Sequence, residues 1–135
     1  EYLDVVYAHH FDDDPESAVK GRRLHQLFSD YEFSLLTPLL DFLKTRNDVF
    51  IVGPDDAGIR ASTVTILPLD KPVPAVVAEL ERQKLMVASG DFDGVRQLDD
   101  MKIDSDPGVI RMSLLHYTTR DEIDQLISGL TIALE

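Results

Sequence analysis

The 135-residue sequence has no cysteine, which excludes a disulfide framework, a thiolate metal site and a cysteine nucleophile. That composition is compatible with a reducing cytoplasm, the expected location. Cations are also scarce: 13 Lys and Arg stand against 25 Asp and Glu, a net charge of −12. Such a surface repels nucleic-acid phosphates and anionic lipid headgroups, so neither a nucleic acid nor a membrane is an expected partner. No stretch approaches the roughly 20 apolar residues that span a bilayer, and no charged-then-apolar secretion signal opens the chain. The sequences G-x-x-x-x-G-K-[ST], G-x-G-x-x-G and G-x-S-x-G are absent too, which removes the usual signals for nucleotide binding and serine hydrolysis.

What is present is the material of one core. At 44% hydrophobic residues, the chain is expected to form a single domain over residues 1–135. It opens on Glu1 and closes on Leu134-Glu135, as an excised segment with a vector-derived tail at 134–135 would. Residues 1–14 read as a lead-in, because Asp12, Asp13, Asp14 and Pro15 together mark a helix start. The following helix carries an apolar stripe of Leu24, Leu27, Phe28, Tyr31, Leu35, Leu39 and Phe42. Phe33, Leu36, Leu40 and Leu43 widen it beyond what a small sheet covers, so another element is expected over it. Pro38 should kink this helix or restart it with Thr37 as cap.

Val49–Val52 is a short apolar strand, followed by a loop over Gly53–Gly58. Thr63–Leu67 alternates Val64 and Ile66 against Thr63 and Thr65. Val73, Val76, Val77 and Leu80 predict a helix entered through Pro72. Leu85–Ala88 is the third expected strand, and residues 89–108 a polar loop with one short helix around Gly94–Leu98. The order predicts an α/β (α+β) two-layer domain: a small, largely antiparallel sheet with helices packed on one side.

The most informative stretch is Val109–Leu130, VIRMSLLHYTTRDEIDQLISGL. Ile110, Met112 and Leu114 alternate with Arg111 and Ser113, which makes Arg111 a fixed cation on a sheet face. Thr119 with Glu122 three residues on is a capping box. Ile123, Leu126, Ile127, Leu130 and Leu134 then follow at helical spacing.

The pattern R-x-S-x-x-x-Y-x-T-x-x-E-I-D-x-L formed by these residues resembles the C-terminal end of the class V aminotransferases, the pyridoxal-phosphate (PLP) family that includes the cysteine desulfurases. The likeness extends upstream in order: Tyr31-Glu32 with Leu35, Leu36, Leu39, Leu40 and Leu43, then Val49–Gly53 and Pro54, Arg60, Thr63–Leu67, the helix at Val73–Gln83, and LMVASG at 85–90. The resemblance implies the C-terminal small domain of a type I PLP enzyme. Its implied partners are the large PLP-binding domain of the same chain, a small amino-acid substrate and a second subunit in a homodimer. It also implies that the fragment alone is inactive. The alternative is a free-standing, non-catalytic α/β ligand-binding or regulatory module, because shared architecture does not fix function.

Arg111 is the expected substrate-binding residue. A guanidinium meets a carboxylate with two parallel hydrogen bonds, and in the resembling family the arginine at this motif position binds the substrate carboxylate. On strand geometry alone, a surface arginine paired with one of the 25 acids is the commoner outcome, and the motif match reverses that. The Ser89-Gly90-Asp91-Phe92 loop corresponds to where cysteine desulfurases carry the persulfide-forming cysteine, with Ser89, Gly90 and Asp91 as the candidate site residues. No thiol stands there, and neither serine nor aspartate replaces a thiolate, so an aminotransferase, lyase or epimerase is the better reading. The family's PLP lysine lies upstream, and Lys20, Lys44, Lys71, Lys84 and Lys102 read as solvated surface residues. No catalytic, cofactor-binding or metal-binding residue is therefore expected in the chain. His9-His10 with Asp12–Asp14 reads as a helix start rather than a metal site, and Asp104–Gly108 reads as a turn that lacks the closing glutamate of a calcium loop.

Overall fold

The expected alternation becomes a four-stranded antiparallel sheet in the computed structural model, which describes residues 1–135. Its strands are β1 (Val49–Val52), β2 (Thr63–Pro68), β3 (Ala88–Gly90) and β4 (Val109–Ser113), arranged β1-β2-β4-β3. The helices are α1 (Tyr2–His10), α2 (Ser17–Lys44), α3 (Val73–Arg82), α4 (Val95–Asp100) and α5 (Arg120–Leu134), with a 3-10 turn at Ala57–Ile59. The central pairing sets Val64 opposite Met112 and Ile66 opposite Ile110. All four are buried, in one core with Leu35, Leu36, Leu39, Leu40 and Leu43 of α2, Val76 and Leu80 of α3, and Ile123, Leu126 and Leu130 of α5. The long helices thus cover one sheet face, the arrangement expected from the pattern.

The local outcomes refine the sequence reading, and four of them, at residues 1–14, Pro38, Leu134 and the third strand, depart from it. Residues 1–14, read as a lead-in, contain α1, which docks on α2 through Tyr7, whose hydroxyl donates to Asp13 and accepts from Arg23. Helix α2 runs through Pro38 without restarting, and Thr37 does not cap, since its hydroxyl donates back to the Phe33 carbonyl at 2.8 Å. Pro38 lies on the exposed side, where water can satisfy the carbonyl left without a donor, and the leucines around it are buried. The widened apolar stripe is largely covered from within the chain, as expected: Leu36 and Leu40 are 2% and 1% exposed under the Ala57–Ile59 turn, while Tyr31 and Phe33 stay open at 37% and 48%. Leu134, read as part of a tail, is buried in the core.

The fourth change is the third strand, which begins at Ala88 rather than Leu85. Lys84 takes a left-handed φ of 61° and closes α3 in a Schellman arrangement, with Leu85 N donating to Leu80 O and Lys84 N to Glu81 O. That closure turns Leu85 toward α5, and a Cβ placed on Gly129 would meet Leu85 Cδ1. Leu85–Val87 is therefore unavailable to β4. The same device ends α4: Lys102, at φ 60°, donates to Asp99 O, and Ile103 N donates to Leu98 O. It seats Leu98 and Ile103 with Val109 in a second, smaller cluster that also gathers Val52, Leu67 and Phe92.

Candidate functional site

The face of the sheet turned away from the long helices is polar at its centre. By alternation it presents Thr63 and Thr65 from β2 and Arg111 and Ser113 from β4, with Thr65 paired to Arg111 and Thr63 to Ser113. Ala88 flanks Arg111 on the other side. Arg111 is exposed while Ile110 and Met112 on either side are buried. Several other arginines are committed elsewhere. Arg23, Arg46 and Arg82 each hold a carboxylate. Arg60 donates to the Thr63 and Pro54 carbonyls, and its burial lowers its pKa. Arg111 takes no ion pair; its guanidinium carbon lies 3.9 Å from the centroid of the Phe92 ring.

Phe92 reaches that position from an unusual backbone. It and Asp93 both adopt left-handed φ, 52° and 62°, a conformation costing on the order of 1–3 kcal/mol at each non-glycine residue. Its neighbour Asp91 is turned inward on its own loop, where Oδ1 accepts from Asp93 N at 3.1 Å and its carbonyl accepts from Gly94 N at 2.8 Å. The loop is held at its base by two glycines: Gly108, at φ 73°, passes so close to Gly90 that a Cβ would stand 2.3 Å from the Gly90 carbonyl carbon.

Of the four residues expected in the site, Arg111 faces outward as anticipated. Ser89 and Gly90 are in strand β3 rather than a loop. Ser89 pairs with Ile110, so its side chain belongs to the opposite face from Arg111. Gly90 contributes only backbone, and Asp91 is engaged within its turn. The residue brought to Arg111 is instead Phe92, the last residue of the expected loop, to which sequence reasoning gave no role. An aromatic set between two acids in a polar run was the one available signal.

PLP needs a lysine for the Schiff base and a cradle for its phosphate. Lys20 is paired with Asp14 and Lys44 with Asp41. Lys71 Nζ donates to the Ala133 carbonyl at 3.4 Å, and Lys84 and Lys102 are exposed in helix-ending turns. Three of the five lysines are thus committed to partners within the chain, and the lysines present do not fit the needs of PLP. The capping box at the start of α5 forms as expected, with Glu122 accepting from Thr119 N at 2.7 Å and Thr119 Oγ1 accepting from Glu122 N at 3.2 Å. The bonds that the Glu122 carboxylate accepts from the Thr119 backbone N–H and hydroxyl hold it below its ordinary pKa. No helix is long and apolar enough to cross a membrane.

No protein-family model matches the chain. Among solved structures, a cysteine desulfurase from Thermococcus onnurineus superposes with a TM-score of 0.74 at 19% identity, over 87% of this chain and 28% of that one. The fold is that of the cysteine desulfurases. A NifS-like protein from Rickettsia africae matches with a TM-score of 0.69 and 22% identity, over 87% of this chain and 31% of its own. Among curated proteins, the aminotransferase-like protein FGM3 of Gibberella zeae is 29% identical over 109 residues, 78% of this chain and 27% of that protein. The chain thus spans less than a third of the length of each of these proteins.

Proposed function

We propose that this chain acts as the small domain of a longer PLP-dependent enzyme of the class V aminotransferase, cysteine-desulfurase-like type, and that Arg111 binds the carboxylate of a small amino-acid substrate. The observation that carries this reading is the state of Arg111: outward on a polar sheet face, free of any acid in a chain with 25 of them, and resting on an aromatic ring. A guanidinium so placed keeps its donor edge for a planar anion, which it meets with two parallel N–H···O bonds. The buried residues on either side of it anchor β4, so the fork is held by the sheet rather than by a flexible loop. The cofactor would be supplied by another part of the longer protein, which is also where a PLP lysine, the subunit contact of a homodimer and a cytoplasmic setting belong in this reading. With no cysteine anywhere in the chain, transamination, lyase or epimerase chemistry is favoured over persulfide formation.

The test is kinetic, in the longer enzyme. Arg111→Ala should lower kcat/KM by about tenfold to a hundredfold with the cofactor retained, the loss of one charge-assisted bidentate contact of about 1.5–3 kcal/mol. Arg111→Lys should recover little, because an ammonium does not reproduce the planar fork. Unchanged kinetics in both variants with cofactor still bound would return Arg111 to the surface-arginine reading and leave this chain without an assigned site.

A further inference from the structure

Arg23, Arg46 and Arg82 each settle against a carboxylate close by in the sequence or fold, and the loop beside Arg111 carries two, Asp91 and Asp93. Neither takes it. Asp91 is occupied by the Asp93 amide, and the consecutive left-handed residues Phe92 and Asp93 turn the aromatic ring, not an acid, toward the guanidinium. The ring is anchored from below, because Phe92 packs on Leu98, Ile103 and Val109. In the sheet, Arg111 is flanked by Thr65 and Ala88, short side chains that leave its plane uncontested. We infer that Phe92 is a positioning residue: its ring is the platform that orients the Arg111 guanidinium in place of an acidic partner and leaves the donor edge open to a carboxylate. The second half of this statement rests on the carboxylate reading of Arg111.

The inference separates orientation from packing. Leucine at position 92 would still fill the small cluster with Leu98 and Ile103 but would offer no π face, whereas tyrosine would keep both. The experiment uses the 135-residue chain with 15N-labelled arginine and acetate as the probe. In the parent chain the Arg111 Nε–H signal should be displaced by the Phe92 ring current, show an ordered side chain, and shift on acetate titration. Phe92→Leu should abolish the displacement, lower the side-chain order parameter and weaken acetate binding at Arg111 about two- to fivefold, the range of an exposed cation–π contact. Phe92→Tyr should restore all three, with backbone amide shifts outside residues 88–113 unchanged in both variants. An Arg111 signal and acetate affinity that are the same in the leucine variant as in the parent would overturn the inference. Acetate leaving Arg111 untouched in the parent chain would instead sink the carboxylate reading, and the two failures are distinguishable because the ring-current comparison needs no acetate.

Discussion

The two faces of β4 lie in opposite environments, although they are one residue apart. On one face Ile110 and Met112 are sealed under α2, α3 and α5; on the other Arg111 and Ser113 look outward across hydroxyls. The covered face gains its energy from apolar area removed from water and from close packing. The open face contributes little to that, and this leaves it free to carry chemistry. A strand can serve both ends because its period of two assigns alternate residues to different environments.

The largest effect that should separate the faces comes from Ile110→Ala, which leaves a cavity at a site with no exposed surface. It should cost about 2–5 kcal/mol in denaturant unfolding, while Arg111→Ala next to it should stay within about 0.5 kcal/mol. Comparable losses would erase the distinction. Gly108→Ala comes next and tests the base of the open-face loop. The added Cβ meets the Gly90 carbonyl group in a left-handed backbone, for an expected loss of about 2 kcal/mol or more. In addition, the Arg111–Phe92 contact should loosen, visible as a side-chain chemical-shift change.

Lys102→Gly should act in the opposite direction. Glycine adopts the left-handed C-terminal position of α4 without Cβ strain, so unfolding free energy should rise by about 0.5–1 kcal/mol. A decrease would mean that the Lys102 side chain contributes more than its backbone costs. The smallest effect is expected at the rim, where Arg46 holds Asp48 through bonds of 2.8 and 2.5 Å. The Arg46 hydrogen bonds put the Asp48 carboxyl below its ordinary pKa. The contribution of this pair is therefore present above about pH 4 and is lost as pH falls through the lower folded-state value. Asp48→Asn should flatten the acid limb of a stability-versus-pH curve there, and an unchanged limb would assign no stability to the pair.

Much of this was legible beforehand where a local rule and the global packing agree. The alternation at 109–114 and the Thr119–Glu122 box each depend on neighbours a few residues away, and both form as read. The misplaced third strand shows the opposite case. Leu85–Val87 has strand composition, but a lysine in the left-handed position ends α3 there, and lysine does not advertise a helix stop as glycine does. Phe92 was hidden for a related reason, since its ring finds Arg111 only through two left-handed residues that no period in the sequence signals.

By itself, the sequence determined the alternation of β4, the capped start of α5, the apolar stripe of α2 and the poverty in cations and thiols, because each is a property of residue type at fixed short spacing. Tertiary structure alone decided that the 57–59 turn closes over Leu36 and Leu40, that Ser89 faces away from Arg111, and that an aromatic ring rather than an acid meets the guanidinium. Those outcomes depend on strand register and on where loops cross. Such contacts join residues far apart in the chain, and local spacing carries no record of them.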